Sequence, residues 1–275
     1  ISKDFIFLEL VLLSVGTFRI PFGKLLHIDF ISKFFILIVN FVCDSLGFVS
    51  DIVVSTRGDF IRSSFGFTNP NTFGMILMIL FFEMFILFPR KLKVIFPFAL
   101  STIIVNEVYA DSRASANCMI LFLVFFISYR FFSNFWDNKL ISFFVVNSFA
   151  ILFLFSIFIT IFYSNLDGNV AFVANKWTSG RLSIQSTYWQ MYPFSVFGND
   201  IFFTRTLDNA YVKLFLKFGL FMSILYSFVF HKLFSMFYRN KAYTLIFALL
   251  CFTVYSLFES YSLYGYTNIF LLCFL

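Results

Sequence analysis

This 275-residue chain is far more apolar than a water-soluble domain. Hydrophobic residues make up 60% of it and charged residues 12%, and the mean hydropathy is +0.90; soluble domains carry about 45–50% apolar and about 25% charged residues. This composition excludes soluble enzymes, nucleic-acid-binding modules and disordered tails. The net charge of +6 is therefore expected to report membrane orientation rather than a polyanionic partner.

Apolar segments that can cross a bilayer recur along the chain. A spanning helix needs roughly 20 mostly apolar residues, and a span must be helical because lipid offers no partner to backbone polar groups. The predicted spans are 4–20, 34–55, 73–89, 94–110, 114–129, 140–163, 209–230 and 242–258, with a ninth beginning near 266. We therefore expect an all-α, polytopic integral membrane protein with about eight to nine transmembrane helices.

The pattern predicts a single transmembrane domain over residues 1–275, with one large extracytoplasmic loop at 164–208. The chain begins without Met and ends inside an apolar run, so we expect it to be a fragment of a longer protein.

Alternate connecting segments differ in their content of Lys and Arg. The richer set comprises Arg19, Lys24, Lys33, Arg90, Lys91, Lys93, Arg130, Lys139, Lys232, Arg239 and Lys241. The poorer set comprises Lys3, Arg57, Arg62, Arg113, Lys176, Arg181 and Arg205. The positive-inside rule places the richer set in the cytoplasm and the poorer set outside.

The outside set is mostly Arg, whose planar guanidinium binds two phosphate oxygens at once. Two interpretations stay open. The arginines can pair with acids of the same loops, namely Asp59, Asp111, Asp200 and Asp208. Alternatively they bind an anionic ligand, which their spread over three outside loops favours.

The first outside loop contains Arg57 and Arg62, followed by a predicted helix start at which Thr68 or Asn69 is the cap and Pro70 lies in the first turn. A helix N-terminus beside two cations suits a phosphate group, although the same signals fit a capped turn that returns the chain to the membrane.

The second outside loop is short, so Arg113 is expected at the interface or within the bundle, where a charge is costly and indicates function. Neighbouring Glu107 and Asp111 are an equally good explanation, since either can neutralise it.

The third outside loop, 164–208, carries Arg181 and Arg205 together with exposed aromatic residues. Loops of this length are usually functional or disordered. Most of the aromatics fit the interfacial belt of a membrane protein, while Trp177 and Trp189 are candidate sugar contacts.

Two carboxylates at helix ends are candidate general bases. Asp208 precedes one predicted span and is either a helix cap or a base for an acceptor hydroxyl. Glu259 follows another span and is either a base or a solvated helix end. The two histidines, His27 and His231, fall on the predicted cytoplasmic side and are excluded from catalysis.

Four strings occur in order on the predicted outer face: Arg62-Ser-Ser-Phe-Gly-Phe-Thr-Asn-Pro-Asn-Thr-Phe-Gly74, Asp111-Ser-Arg-Ala-Ser115, Ser179-Gly-Arg181, and Leu207-Asp-Asn-Ala-Tyr211 followed by Gly219. Over about residues 50–260 the chain thereby resembles the Wzy group of O-antigen and capsular polysaccharide polymerases, which are relatives of O-antigen ligases.

The resemblance implies a metal-independent membrane glycosyltransferase without cofactor in the bacterial cytoplasmic (inner) membrane. It would polymerise undecaprenyl-pyrophosphate-linked repeat units into O-antigen, capsule or exopolysaccharide. Arg62, Arg113 and Arg181 would hold the pyrophosphates, and Arg57 and Arg205 match the family less closely. Implied partners are the lipid-linked glycans, membrane lipids, and the chain-length regulator and flippase of the same pathway, with no nucleic acid.

Two features depart from the family. The Arg-x10-Gly pattern of some Gram-negative polymerases is absent at Arg62, Arg181 and Arg205. Related ligases carry His-Asn where this chain has Asp208-Asn209, which favours a polymerase and leaves the base to be either Asp208 or Glu259. The rival functions are a lipid-linked oligosaccharide flippase or other transporter, and an O-antigen ligase.

Overall fold

A computed structural model describes residues 6–49, 54–57, 60–166, 168–201, 203, 206–265 and 267–274. The α-helices are α1 (Ile6–Thr17), α2 (Phe22–Ser45), α3 (Pro70–Leu87), α4 (Leu92–Val105), α5 (Arg113–Phe131), α6 (Ser133–Trp136), α7 (Lys139–Val146), α8 (Ser148–Ser164), α9 (Gly168–Trp177), α10 (Arg181–Met191), α11 (Ala210–Lys213), α12 (Gly219–Arg239) and α13 (Tyr243–Tyr255). Strands β1 (Val54–Arg57) and β2 (Phe60–Arg62) form an antiparallel hairpin. Two π-helical turns, Asn106–Ala110 and Leu214–Phe218, and two 3₁₀ helices, Ser260–Leu263 and Ile269–Phe274, complete the described elements.

The helical, membrane-type architecture agrees with the sequence, but the predicted number of spans was too high. In the described part of the chain, five helical segments are long and apolar enough to cross a membrane: Phe22–Ser45, Pro70–Leu87, Leu92–Ala110, Arg113–Phe131 and Ala210–Arg239. A sixth span is obtained if α7 and α8, bent by 59°, are taken as one. The prediction of eight to nine spans therefore falls to five or six.

Helix length explains most of the difference. Within the described residues, the predicted spans 4–20 and 242–258 become α1 with 12 residues and α13 with 13 residues. At 1.5 Å per residue these helices are about 18–20 Å long, short of a hydrocarbon core of about 30 Å. The ninth segment is a six-residue 3₁₀ helix. At these three places apolar composition therefore overestimated how far a spanning helix extends.

The bend between α7 and α8 lies at Asn147. Its side-chain Nδ2 donates to the carbonyl oxygen of Phe143 at 2.8 Å, one turn earlier, beside the backbone hydrogen bond to the same oxygen. A polar side chain that competes for the i−4 carbonyl is a known cause of helix kinks. The uncharged run 140–163 consequently forms two helices.

The chain divides into two compact units, residues 17–131 and residues 1–16 with 132–275. In the first unit, α3 is the most buried span and packs against α2, α4 and α5. Its core is aromatic: Phe81 and Phe85 lie 5.7 and 5.1 Å from Phe122 of α5 by ring centroids. The prediction of a single domain over 1–275 concerns how the units are joined, and it stays a prediction.

In the second unit, α8 packs against α10, α11, α12 and α13. Fully buried Tyr211 contacts Phe149 and donates its hydroxyl to the backbone oxygen of Thr253 at 2.7 Å. These contacts join α11 to α8 and α13, and they fix the segment that carries Asp208.

The segment 164–208 was predicted as a loop, but it contains two helices. It contains α9 and α10, and the residues after α10 fasten to the beginning of α12 through backbone hydrogen bonds of Leu220 to Ser195 and Phe221 to Val196. The ordered helices position Arg181 at the first residue of α10. Which side of a membrane this segment faces stays a prediction.

Candidate functional site

Arg62, the first of the predicted phosphate ligands, is buried in the first unit. Only 8% of the surface of Arg62 is exposed to solvent. Nε donates to the backbone oxygen of Ala110 at 2.7 Å, and Nη2 donates to Oδ1 of Asn71 at 2.5 Å. The guanidinium therefore ties β2 to the π-helical turn and to the first turn of α3. These are structural contacts, and a role in ligand binding stays a prediction.

The predicted start of α3 is confirmed. Asn69, rather than Thr68, is the cap, since its Oδ1 accepts from the backbone N–H of Thr72 at 2.9 Å, and Pro70 is the first helical residue. The cap satisfies a backbone donor that the helix leaves unpaired.

Arg113 begins α5 and is largely exposed. Its Nε lies 3.8 Å from Oδ1 of Asp111, and its side chain is 65% exposed. Exposed ion pairs at such a distance stabilise a protein by at most about 1 kcal/mol. Asp111 has a positive φ of 40°, so the chain turns sharply just before α5. Of the two acids proposed as neutralising partners, Asp111 makes an ion pair with Arg113.

The second unit brings together three of the predicted residues, Arg181, Asp208 and Glu259. Arg181 Nη2 donates to Oε1 of Glu259 at 2.9 Å, and Arg181 Nε lies 3.3 Å from Oδ2 of Asp208. The side chains of Arg181 and Asp208 are 24% and 30% exposed, whereas that of Glu259 is 4% exposed. One guanidinium thus bridges a buried and an accessible carboxylate. We call these three residues the Arg181 cluster.

Backbone contacts explain how the two carboxylates meet. The N–H of Ala210, the first residue of α11, donates to the carbonyl oxygen of Ser256 at the end of α13, at 2.9 Å. Asp208 lies two residues before Ala210, and Glu259 lies three residues after Ser256. The junction of α11 with α13 therefore brings both acids within reach of Arg181.

Buried polar residues of α8 hold the elements that carry this cluster. Thr160 Oγ1 donates to Oε1 of Gln185, one turn beyond Arg181 on α10, at 3.2 Å. One turn earlier on α8, Ser156 Oγ accepts from Nδ2 of Asn209 at 2.7 Å. Ser156 and Thr160 thus share one face of α8 and anchor the neighbours of Arg181 and Asp208.

The cap of α11 is Asn209 and not Asp208. Oδ1 of Asn209 accepts from the backbone N–H groups of Tyr211 and Val212 at 3.0 and 3.1 Å. The interpretation of Asp208 as a plain helix cap was therefore wrong. Its carboxylate faces Arg181 instead.

Burial raises the pKa of Asp208 above its ordinary value of 3.8, and the positive charges of Arg181 and Lys213 and a hydrogen bond with Thr206 oppose this rise. A carboxyl group whose pKa is raised in this way accepts a proton more readily near neutral pH.

Lys213 is a further cation beside Asp208 that sequence analysis did not assign to the site. Its Nζ lies 3.3 Å from Oγ of Ser260 and 3.4 Å from the hydroxyl of Tyr264, and 5.6 Å from the Tyr264 ring centroid. Spacing offered one signal, because Lys213 is five residues after Asp208 on a helix start. Its contacts with 260–264 depend on the tertiary fold.

The remaining predicted site residues have varied placements. Trp189 stacks on Phe215, with centroids 5.5 Å apart and planes at 18°, so one face of its indole packs against the protein. Arg205 lies outside the described residues. The side chains of Arg57 and Trp177 are likewise outside the described part of the chain.

Among the described residues, no group of three or more His, Cys, Asp or Glu side chains is arranged to hold a metal ion. Comparisons with protein-family models, with curated proteins and with solved structures gave no match for this chain.

Proposed function

We propose that this chain is a metal-independent glycosyltransferase of the bacterial cytoplasmic membrane. It would polymerise undecaprenyl-pyrophosphate-linked oligosaccharide repeat units into O-antigen, capsular polysaccharide or exopolysaccharide at the outer face of that membrane. The observation that carries the proposal is the Arg181 cluster, in which one guanidinium meets two carboxylates from separate segments. The motifs that resemble polysaccharide polymerases contribute Arg181 and Asp208 to it.

The difference in exposure divides the roles of the two carboxylates. Asp208 is the more accessible, with a side chain 30% exposed, and it takes the proton from the attacking sugar hydroxyl. Glu259, whose side chain is 4% exposed, orients Arg181 through their 2.9 Å hydrogen bond. Asp208 is thus the proposed base, and Glu259 is a positioning residue.

The proposed reaction is a single displacement. The acceptor hydroxyl oxygen bonds to the anomeric carbon of the donor glycan while the bond from that carbon to the pyrophosphate oxygen breaks. The hydroxyl proton passes to Asp208, and the lipid pyrophosphate leaves with the bonding electrons. The configuration at the anomeric carbon is inverted, because bond making and bond breaking occur on opposite faces.

Proton transfer and leaving-group stabilisation are coupled through Arg181. While Asp208 is ionised, it competes with pyrophosphate for the guanidinium. Once Asp208 has accepted the proton, that competition is lost at the moment when negative charge grows on the leaving group. Arg181 can then stabilise the pyrophosphate, which is where a preorganised donor contributes most.

The test is polymer synthesis by the purified full chain in lipid vesicles supplied with lipid-linked repeat units. Arg181→Ala is expected to lower the rate constant of polymerisation about 10²–10³-fold. Lys176→Ala is the matched control, since it removes an exposed cation just before α10, and it should retain activity. A folded Arg181→Ala protein with the full rate would refute the proposal.

Loss of the protein in cells separates the rival functions. A polymerase deletion leaves single-repeat glycans outside the membrane. A flippase deletion leaves lipid-linked units in the cytoplasmic leaflet, and a ligase deletion leaves finished chains on their lipid carrier.

A further inference from the structure

A group of ionisable residues is buried in the first unit, separate in sequence from the Arg181 cluster. Asp29 and Lys33 lie one turn apart on α2, and Glu83 lies on α3, which packs against α2. Lys33 and Glu83 are 5% and 2% exposed, and the Asp29 side chain is 21% exposed. Both helices are long and apolar enough to cross a membrane, and charged side chains inside such helices are costly and usually have a function. Lys33, predicted in a cytoplasmic connecting segment, therefore lies within a candidate span.

The charges of this group do not balance. Lys33 makes an ion pair with Asp29. Phe30, next to Asp29 on α2, contacts Phe88 just beyond α3 with ring centroids 6.2 Å apart, which brings this part of α2 close to the end of α3 that carries Glu83. Glu83 interacts electrostatically with Asp29 and Lys33, and no donor in the described part of the chain reaches its buried carboxyl oxygens with hydrogen-bond geometry. Two carboxylates therefore share one ammonium group in a buried place.

Other charged groups near these helices are too exposed or too distant to change this balance. Arg62 is buried, but it is hydrogen-bonded to Asn71, 12 residues before Glu83 and about 18 Å away along α3. The exposed groups are Lys24 and His27 on α2, Arg90 and Lys91 after α3, Lys93 on α4, Glu107 in the π-helical turn, and Arg113 and Arg130 on α5. Asp44 lies 15 residues beyond Asp29 on α2, about 22 Å along the helix. The interactions resolved for Glu83 are with Asp29 and Lys33.

We propose that Asp29, Lys33 and Glu83 form a proton-binding site, in which Glu83 holds one proton at neutral pH against the Asp29–Lys33 ion pair. One added proton makes the group electrically neutral, and it removes the repulsion between two facing carboxylates. The proton also gives Glu83 an O–H donor aimed at Asp29. The expected ligand is a proton for two reasons. The three groups together carry one unbalanced negative charge, and the carboxyl group of Glu83 has the Asp29 carboxylate nearby as an acceptor for an O–H donor.

Access to the site is through Asp29. It is the least buried of the three side chains, and Glu83 is four residues before the end of α3, about 6 Å along the helix. The proton can therefore exchange near one end of α3 and need not pass through the middle of the span.

The test is infrared spectroscopy of the purified full chain in lipid nanodiscs at neutral pH. The wild-type protein should show a protonated-carboxyl C=O band that shifts in deuterium oxide, and Glu83→Gln should lack it in the difference spectrum. Glu107→Gln, an exposed carboxylate of the same unit, should leave the band unchanged. If the wild-type and Glu83→Gln spectra agree, the proposal is wrong.

Two further variants test the shared charge. Asp29→Asn should also abolish the band, although Glu83 is intact, because Lys33 then pairs with an ionised Glu83. Lys33→Met should increase the band, because a second proton is needed once the ammonium group is lost. A band that persists in Asp29→Asn would contradict the shared site. A wild-type band that disappears when sodium is added at constant pH would show a metal-cation site instead.

Discussion

The pKa of Asp208 is set by two opposing effects, its burial and the charge of Arg181. Burial raises the pKa of Asp208, while the nearby guanidinium lowers it. An ionised Asp208 is needed to accept the acceptor proton, so activity should increase as the pH rises through this pKa. The opposing effects of burial and Arg181 on the pKa of Asp208 therefore set the pH below which the proposed reaction slows.

Removing the guanidinium should move that limit. In Arg181→Ala the pKa of Asp208 rises further, because its main opposing charge is gone. The acidic limb of residual polymerisation should shift to higher pH, whereas Arg181→Lys should keep it near its wild-type position. The measurement is rate against pH. If Asp208→Asn retains both activity and the same acidic limb, Glu259 is the base.

The raised pKa of Asp208 also makes the stability of the fold depend on pH. A raised pKa means that the folded protein binds the Asp208 proton more tightly than the unfolded chain does. The contribution of this group therefore favours folding at low pH and is lost as the pH rises through the folded-state pKa.

At the level of elements, α8 organises the site through two polar residues and one neighbouring cap. Hydropathy alone predicted 140–163 as an uncharged span and gave no role to Ser156 and Thr160, which are small and uncharged. The structure buries both and pairs them with Asn209 and Gln185. Asn209 is 53 residues from Ser156 and Gln185 is 25 residues from Thr160 in sequence, so no local pattern could have identified them.

Asn209→Ala should weaken both the cap of α11 and its attachment to α8. We expect a loss of about 1–2 kcal/mol in the free energy of unfolding, with a fall in activity because Asp208 is the preceding residue. Asn138→Ala is the control: Asn138 caps α7 through the N–H of Leu140 at an exposed position. It should cost less stability and leave the rate unchanged. Thermal unfolding and polymer synthesis measure the two effects, and equal losses of activity would contradict the positioning role.

Gly198 marks a close approach of the segment after α10 to the second π-helical turn. Its φ is +88°, and a Cβ there would lie 2.1 Å from the backbone oxygen of Lys217. Gly198→Ala should therefore destabilise the fold by about 1–3 kcal/mol. Gly168→Ala meets no atom within 4 Å of its new Cβ and should be close to neutral. Unfolding temperatures that fall equally in both variants would rule out this steric explanation.

At the level of the molecule, the sequence predicted the class of protein better than its detailed architecture. Long apolar runs located the helical segments Pro70–Leu87, Leu92–Ala110 and Arg113–Phe131, because lipid requires every spanning backbone to be helical. The span predicted at 34–55 was misplaced, since the helix begins at Phe22 and ends at Ser45. It missed the ends of α1 and α13, which composition does not determine. The meeting of Arg181 with Glu259, 78 residues apart, likewise depends on tertiary packing that periodicity does not encode.

Membrane orientation is the prediction on which both the site and its substrate depend. If the arginine-rich segments face outward, cysteines placed at exposed positions 113 and 176 of a cysteine-free chain should react with a membrane-impermeant maleimide in intact spheroplasts. Cysteines at the exposed positions 139 and 241 should react only after lysis, because the positive-inside rule places them in the cytoplasm. The reverse pattern would put the Arg181 segment on the cytoplasmic side. Because the proposed polymerisation takes place at the outer face of the membrane, the proposed function would then be wrong.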